Sequence, residues 1–480
     1  MYFNKKINYN LIVFILFITF LITGLNSFQD FGISLDEDYH RQSGQLYYGF
    51  LKEIFSENYN SYDIDEIRKK TQASVLFKMP ALFDVVNEFL INFLGIKDSQ
   101  KVFFFRHLAN FLIFLLGCFY FLLLIISVTK NKFFGILGVF FLFFYPRIFG
   151  ESFYNNKDII FLSSSIILLY YGIKFLNSLT LKNSILFSVI SAIAFDIRII
   201  ALLIIFSVYS ILFLKTLDNK NYFKNNFRLI LVTPISTLFF IIVFWPYLWF
   251  DPINNLIDFF NIIKGATPGV LNHYMGEYIY TKSTPWHYYI IWILITIPLC
   301  VTFFFLIGIL SITYRFMKMT LNIENKNHKF FETKEDLYDY LFLTIFLVVL
   351  LAQIKFGVSY DAWRHLYFLY PLIIIFFLRG LSIISIVITN QKFLRVVYLI
   401  IFFELSFLII WSIKNHPYQY VFFNPVYQKL TLGKFELDYW GVSNRSALEF
   451  ILNSTRLDKI NQNWTKCPAR FILADVLCVW

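Results

Sequence analysis

The 480-residue chain is 58% hydrophobic and only 15% charged, and it contains 62 Phe and 31 Tyr. A soluble domain of this length cannot bury so much apolar surface, so the composition excludes an ordinary soluble protein and indicates that lipid is the main solvent. The formal net charge of +11 is spread over many loops rather than gathered on one soluble face, which argues against a nucleic-acid-binding protein.

The first apolar run covers residues 11–28 and follows Lys5 and Lys6. Such a run after basic residues is typical of a signal peptide, but the Thr-Gly-Leu-Asn sequence at 23–26 is a poor match to a small-residue cleavage site. We therefore expect a retained first membrane helix, with a cleaved signal peptide as the alternative.

Apolar runs between polar breaks predict an all-α integral membrane protein with about eleven transmembrane helices. The runs lie near residues 11–28, 103–129, 133–149, 159–177, 184–197, 199–215, 229–250, 286–314, 339–357, 366–389 and 396–413. The fifth and sixth runs are short and could form one long bent helix. That alternative would move every later loop to the other side of the membrane.

Lys and Arg in short loops decide the orientation, because cytoplasmic loops carry more of them. If the N-terminus is cytoplasmic, the cytoplasmic loops contain Lys130, Lys132, Lys174, Lys182, Lys215, Lys220, Lys224, Arg228, Arg315, Lys318, Lys326, Lys329, Lys334, Lys392 and Arg395. Fusing the fifth and sixth helices would place the basic loop at 215–228 outside, so the pattern favours eleven spans. It predicts a multispan domain over residues 1–413 in the plasma (inner) membrane and a short extracytoplasmic segment over 414–480.

The first outer loop, residues 29–102, is long and has mixed charge. Its helical periodicity predicts one or two amphipathic helices on the membrane surface. The outer loop at 251–285 is rich in aromatic residues, Gly and Pro. Neither loop is long enough for a separate soluble catalytic domain.

The four cysteines show no metal-ligand spacing. Cys118 and Cys300 lie in apolar runs and are expected to act as small hydrophobic residues. Cys467 and Cys478 share the C-terminal segment and could pair if that segment is extracytoplasmic.

Three acidic residues, Asp36, Glu37 and Asp38, lie just after the first helix, and His40 follows them. Charges at such a boundary can be ordinary interface residues. They can also supply a general base, with a second carboxylate that orients it or holds a metal.

Two further polar groups are predicted at the same membrane face. Arg147 ends the third run, and Lys157 and Asp158 open the fourth, where a carboxylate suits the positive end of the helix dipole. Asp196 and Arg198 interrupt an apolar stretch, where ionisable residues need a partner or a cavity. They could pair with each other, or Arg198 could bind a lipid phosphate.

Aromatic residues mark the outer boundaries of later runs, as at 245–249 and at Trp286. Such residues are first of all expected in the interfacial belt of a membrane protein. In the short outer loop at 360–365, Arg364 and His365 could meet an anionic headgroup.

Together these motifs resemble those of C-type (GT-C) membrane glycosyltransferases, in the lineage of protein O-mannosyltransferases and lipid A aminoarabinose transferases. The resemblance covers nearly the whole chain and depends on the order of Asp36-Glu37, Pro146-Arg147, Asn156-Lys157-Asp158, Asp196-Ile197-Arg198, Pro246-Tyr247-Leu248-Trp249, Pro285-Trp286 and Arg364-His365. The tail at 416–441 resembles an extension found in a bacterial and archaeal branch. It has fewer glycines than that branch usually carries, so any soluble outer domain is small or missing.

The resemblance implies a hexosyl- or pentosyltransferase that takes its sugar from polyprenyl phosphate and transfers it with inversion to a lipid, glycan or protein. It implies that Asp36 is the base that activates the acceptor and Glu37 its supporting carboxylate, on the extracytoplasmic (periplasmic) face. The donor and its phosphate would be bound by a set of residues in which Arg198, Arg364 and Lys157 hold the phosphate and Asp158 belongs to the second acidic motif, with His365 also at the donor site. Arg147, His40 and Trp286 are other candidates. No cofactor is assigned, and the two acidic motifs leave a divalent metal open.

Two other functions remain as alternatives. A transporter or flippase for a lipid-linked or anionic solute needs polar residues deep in several spans, usually in repeated halves. A ligase or polymerase of O-antigen type uses a different loop arrangement, and the early Asp36-Glu37 motif argues against it. We favour the glycosyltransferase because the polar motifs collect at one predicted face and no halves match.

Overall fold

The computed structural model describes residues 8–55, 74–218, 220–265, 269–321, 329–357 and 359–454. Lys5, Lys6, Lys326, Cys467 and Cys478, which the sequence analysis singled out, lie outside these ranges. Cys118 and Cys300 are buried and unpaired, as expected of small hydrophobic residues.

Helices dominate the described residues. In chain order they are α1 Tyr9–Ser27, α2 Leu35–Ile54, α3 Val75–Lys78, α4 Leu82–Phe93, α5 Ser99–Thr129, α6 Lys132–Phe143, α7 Pro146–Tyr154, α8 Asp158–Asn177, α9 Leu181–Ile197, α10 Ala201–Asp218, α11 Lys220–Phe244, α12 Pro252–Gly265, α13 Tyr288–Thr296, α14 Leu299–Leu321, α15 Lys334–Phe356, α16 Tyr370–Val387, α17 Gln391–Lys414, α18 Pro425–Thr431 and α19 Asn444–Ser454. Short 3₁₀ helices precede α12, α13, α16 and α18, at Pro246–Leu248, Thr281–Ser283, Arg364–Leu369 and Gln419–Val421. Strands β1 Leu271–Tyr274 and β2 Glu277–Tyr280 form a hairpin.

Nine helices within the described ranges are long and apolar enough to cross a membrane. They are α1, α5, α8, α10, α14, α15, α17, α11 from Asn221, and α16 together with the 3₁₀ turn before it. The predicted all-α membrane protein is therefore confirmed. Each of the eleven predicted runs contains a helix, but α9 has only 17 residues and α6 with α7 is a bent pair. The count of eleven and the orientation stay predictions.

Two runs that the sequence predicted as single spans are broken. Helices α6 and α7 meet at an angle of 64°. Tyr145 between them is extended because the following Pro146 disfavours a helical conformation there. Pro298 separates α13 from α14 in the same way, after an extended Ile297.

Close helix packing is clearest between α14 and α16. A β-carbon added at Gly308 would lie 2.0 Å from the carbonyl oxygen of Phe376, and one added at Gly380 would lie 2.0 Å from that of Phe304. Both positions need glycine because the backbones touch. Small residues at helix crossings are a common basis of packing between membrane helices.

The predicted outer loops are folded against the helices. The loop at 29–102 holds α2, α3 and α4, and the loop at 251–285 holds α12 and the hairpin. The hairpin pairs Leu271 with Tyr280 and turns at Met275 and Gly276, both with positive φ, as a type I′ turn requires. The sequence analysis did not predict these strands.

A second set of contacts joins loops that were predicted to be cytoplasmic. Arg315 near the end of α14 pairs with Asp336 at 2.7 Å and with Asp339 at 2.5 Å, both in the first part of α15. Arg379 near the end of α16 pairs with Asp339 at 2.9 Å. These loop ends therefore lie together, away from Arg364, which precedes α16.

Candidate functional site

A cluster of charged side chains lies where α2, α8 and the 3₁₀ turn before α16 begin and where α9 ends. We call this cluster the recess, because Asp158, the first residue of α8, is buried while Asp36 and Arg198 are partly exposed. Its carboxylate lies 2.5 Å from Arg198 Nη2 and accepts a hydrogen bond from Arg364 Nη1 at 3.1 Å. Asn155 Nδ2 donates a further bond to it at 3.0 Å. The structure thus brings together three residues that are distant in the sequence.

The two arginines differ in exposure. The side chain of Arg198 is 23% exposed, whereas that of Arg364 is 3% exposed. Aromatic rings enclose Arg364, with ring centres at 4.1 Å for Trp440, 4.8 Å for Tyr360 and 5.7 Å for Tyr439. Such cation–π contacts fix the buried guanidinium, while Arg198 presents a cation to the opening.

Asp36 lies in the first turn of α2 and is partly buried. The preceding Leu35 N donates to Trp440 O at 3.2 Å, and the Trp440 ring lies against Arg364, which brings Asp36 near these cations. Burial raises the pKa of its carboxyl group, the charge of Asp158 adds to this, and Arg364 and Arg198 oppose it. No group among the described residues donates a hydrogen bond to its carboxylate. Its oxygen lone pairs are therefore available to a substrate.

Glu37, predicted to support Asp36, has other contacts. It is buried, accepts a hydrogen bond from Ser34 N at 2.7 Å, and lies 2.9 Å from His107 Nε2. Ser34 and Glu37 form a capping box that fixes the start of α2. Successive side chains on a helix point about 100° apart, as 3.6 residues per turn dictates. Any support that Glu37 gives Asp36 therefore acts through the helix rather than by direct contact.

His40 follows Asp36 by one helical turn, so both lie on the same face of α2. Burial lowers the pKa of His40 well below its ordinary value, and the charges of Lys157 and Arg106 lower it further. The imidazole is therefore neutral at physiological pH and can donate or accept one hydrogen bond.

Lys157 and Asp196 hold the loop in front of α4. Lys157 Nζ donates to Pro80 O at 2.8 Å, and Leu82 N donates to Asp196 at 2.8 Å. The alternative in which Asp196 pairs with Arg198 is wrong within the described residues, because Arg198 pairs with Asp158 instead. Lys157 therefore supports the site with one of its three ammonium donors.

The other predicted residues fall in three places. Arg147 is buried, donates from Nε to Phe422 O at 2.7 Å, and lies over the ring of Trp292. His365 is buried with its ring centre 4.7 Å from that of Tyr360, which places it beside the recess. Trp286 is 69% exposed and its ring contacts His287, as a belt residue does.

Several buried charged residues of this region were not predicted. Asp84 accepts hydrogen bonds from Arg106 Nη2 at 2.6 Å and from Asn156 Nδ2 at 2.8 Å. Glu151 accepts from Tyr367 OH at 2.6 Å and from Asn155 Nδ2 at 2.7 Å. An ionisable residue within an apolar run signals a partner or a function. The positions of Arg106 and Glu151 within apolar runs could therefore have identified the hydrogen-bond networks of Asp84 and of Glu151.

The described residues contain no group of three or more His, Cys, Asp or Glu side chains that could hold a metal ion. A mostly apolar cavity of about 490 Å³ lies beside the recess and is lined by His107, Phe103 and Leu448, among others. Because His107 contacts Glu37 and Glu37 adjoins Asp36, apolar and charged surfaces lie close together here.

Comparison with known proteins gives no functional assignment. No protein-family model matches this chain, and no curated protein matches its sequence. The chemistry of the recess is therefore the basis for a function: two guanidinium groups meet one carboxylate, and a second carboxylate accepts no hydrogen bond from the described residues.

Proposed function

We propose that this protein is a membrane glycosyltransferase that moves a sugar from a polyprenyl-phosphate donor to a lipid, glycan or protein acceptor. The proposal depends mainly on one observation. Arg198 and Arg364 converge on Asp158, while the Asp36 carboxylate lies beside both cations and accepts no hydrogen bond from the described residues. An anion-binding group and a free base therefore share one recess.

Each part matches a requirement of the reaction. The bond between the sugar carbon and the donor phosphate breaks, and the phosphate takes the bonding electrons as it leaves. Guanidinium groups bind phosphate well and stabilise the charge that develops on it. Arg198 is the cation that a phosphate can reach. The buried Arg364 adds a second positive charge behind it. Asp158 holds both in place.

The acceptor must lose a proton as its hydroxyl or amino group attacks the sugar carbon. Asp36 takes that proton as the general base. Attack from the side opposite the leaving phosphate inverts the configuration at the sugar carbon. Neutral His40, on the same face of α2, can orient the acceptor by a hydrogen bond.

An amphipathic donor also suits the surroundings of the recess. Its hydrocarbon chain can lie among apolar helices while its phosphate meets cations at the membrane surface. We place the site on the extracytoplasmic face of the plasma membrane, because the loops predicted to be cytoplasmic are the basic ones.

The proposal is tested by transfer in detergent solution, where no bilayer separates two compartments. Polyprenyl phosphates carrying a labelled hexose, pentose or amino sugar are incubated with purified protein and an envelope extract. We expect label to reach an acceptor with the wild-type protein. Protein that moves the donor across liposome membranes but transfers no sugar in detergent would be a flippase, and the proposal would be wrong.

Mass spectrometry of a deletion strain identifies the natural product. Surface glycolipids, glycans and proteins should lack one sugar modification, which the wild-type gene restores and Asp36→Asn does not. An unchanged set of surface sugars in the deletion strain would contradict the proposal.

A further inference from the structure

Arg364 joins the recess to a second group of charged side chains that the proposed reaction does not use. Its Nη1 reaches Asp158, while its Nε lies 3.0 Å from Asp361 Oδ2. The second group consists of Asp361, Glu436 and Arg147, which come from three separate segments. Burial raises the pKa of Asp361 to about 6, while Arg364 and Arg147 act in the opposite direction.

Strand β1 holds two of these segments side by side. Asn272 Nδ2 donates to Ser359 O at 2.8 Å, two residues before Asp361. The adjacent His273 O accepts a hydrogen bond from Glu436 N at 3.1 Å. Because Asn272 and His273 are neighbours, the backbone segments that carry both carboxylates are anchored on the same strand. Burial and the nearby charge of Asp361 raise the pKa of Glu436 to about 7.

Arg147 approaches the group from α7. Its guanidinium lies 5.4 Å from the ring centre of Trp292, and that ring lies 5.0 Å from the ring of Phe435, next to Glu436. These contacts bring Arg147 to the segment that carries Glu436.

Two of these side chains carry buried polar atoms, Arg147 Nη2 and Glu436 Oε2, that have no hydrogen-bond partner among the described residues. The Asp361 carboxylate is held by its ion pair with Arg364. The side chain of Arg147 is itself nearly completely buried, at 3% exposure. Buried polar groups are normally hydrogen-bonded, so this arrangement requires a polar partner. A buried donor on Arg147 and a buried acceptor on Glu436, together with the ion-paired carboxylate of Asp361, match a ligand with several hydroxyl groups.

We propose that Asp361, Glu436 and Arg147 bind the sugar ring of the donor and select which sugar is used. This inference depends on the proposed function, because it places the sugar next to the phosphate at Arg364. Carboxylates accept hydrogen bonds from sugar hydroxyls, and the guanidinium donates to the hydroxyl oxygens. The ring of Trp292 offers an apolar wall for the face of the sugar.

The test separates sugar binding from phosphate binding. Purified protein in nanodiscs is titrated with bare undecaprenyl phosphate and with undecaprenyl phosphate that carries a single hexose, pentose or amino sugar. We expect the wild-type protein to bind one sugar-bearing lipid more tightly than the bare lipid. Glu436→Gln should reduce that preference about tenfold, as expected for one lost charged hydrogen bond, and leave binding of the bare lipid unchanged.

Glu277→Gln is the matched control, because Glu277 is an exposed glutamate on the same hairpin. Asp361→Asn provides a second variant of the site. If both site variants keep the preference that the control shows, water satisfies these atoms and the inference is wrong. If no sugar adds affinity although the bare lipid binds, the inference of a sugar subsite is wrong, while the proposed phosphate site remains supported. If the wild-type protein binds none of the lipids, the proposed function fails as well.

Discussion

Asp36 is the residue on which the proposed chemistry depends most. Its carboxylate lies beside Arg364 and Arg198 without a hydrogen-bond donor among the described residues. Asp36→Asn keeps the size and polarity of the side chain but removes the base, and general-base catalysis contributes about 10²- to 10⁴-fold. We expect single-turnover transfer of labelled sugar to fall by this factor, while binding of the donor stays nearly unchanged.

Asp38→Asn is the matched control for this variant. Asp38 lies on the same turn of α2 but is exposed and accepts a hydrogen bond from Gln42 Nε2 at 2.7 Å. We expect it to transfer sugar at the wild-type rate. If Asp36 were only an interfacial charge, both variants would transfer sugar normally.

The pH dependence of transfer provides an independent test of Asp36. Burial raises the pKa of its carboxyl group, and Arg364 and Arg198 lower it in part. Only the ionised form accepts a proton, so transfer is lost as the pH falls through this raised pKa, above the ordinary value of about 3.9. Arg198→Ala removes one opposing cation and should move the acidic limb of the pH–rate profile to higher pH. If the acidic limb lies at the same pH in the wild-type protein and in Arg198→Ala, a group other than Asp36 causes it.

Arg198 is the better of the two arginines for testing phosphate binding. A charge-assisted contact is worth roughly 1.5 to 3 kcal/mol, so Arg198→Ala should weaken donor use about tenfold or more. Removing Arg364 would leave the largely buried Asp361 carboxylate unpaired, which costs about 3 to 5 kcal/mol of stability and would obscure the result. Lys429→Ala, at an exposed position in α18, is the control. Normal donor kinetics in both Arg198→Lys and Arg198→Ala would mean that Arg198 only balances Asp158.

The sequence was informative about these residues because several charged motifs were predicted at one membrane face, and because charges that interrupt an apolar stretch, as at 196–198, need a partner or a cavity. Asp158, Arg198 and Arg364 were predicted to share one face, and they are in contact. Their pairing was not predictable, since Arg198 was first considered a partner of Asp196. Which charges meet depends on which helices pack together, and one sequence does not contain that information.

Among the secondary-structure elements, the start of helix α2 determines where Asp36 lies. Glu37 caps this helix through Ser34 N and contacts His107 on α5, so it ties α2 to a membrane helix. Glu37→Ala removes both contacts and leaves His107 without its partner, which should lower stability by about 1 to 3 kcal/mol. We expect its turnover to fall while donor affinity is kept, measured with thermal unfolding beside the transfer assay.

Glu37→Gln separates positioning from catalysis, because the amide oxygen can still accept the bond from Ser34 N. We expect it to cost less turnover than Asp36→Asn. Loss of all turnover in Glu37→Gln with normal turnover in Asp36→Asn would reverse the two roles.

Proline residues explain why two elements differ from their predictions. The runs at 133–149 and 286–314 were predicted as single spans because apolar length alone was considered. Pro146 and Pro298 break them, and the preceding residues are extended. The break before Pro146 creates α7, which presents Arg147 and Glu151 to the interior. A proline within an apolar run was therefore the sequence feature that could have predicted helix α7.

For the whole molecule, the apolar runs predicted the class of fold because backbone groups in lipid must be hydrogen-bonded within a helix. They could not predict how the tail folds back. Trp440 lies against Arg364, and the backbone of Tyr274 in the hairpin bridges to Phe435. These contacts join segments far apart in the chain, and no periodicity encodes them.

Orientation in the membrane is the property of the whole molecule that an experiment can settle directly. The distribution of Lys and Arg predicts that residues 216–228 are cytoplasmic and residues 414–480 extracytoplasmic. Reporter fusions at Asn219 and Asn461, both outside the described residues, test this, and activity of a cytoplasmic reporter at both would mean a miscounted span. A third fusion at Lys329 supplies an internal check. Asp218 accepts a hydrogen bond from Phe330 N at 2.8 Å, so the loops at 216–228 and 329–334 touch and must lie on one side. We expect the fusions at Asn219 and Lys329 to agree with each other and to differ from the one at Asn461.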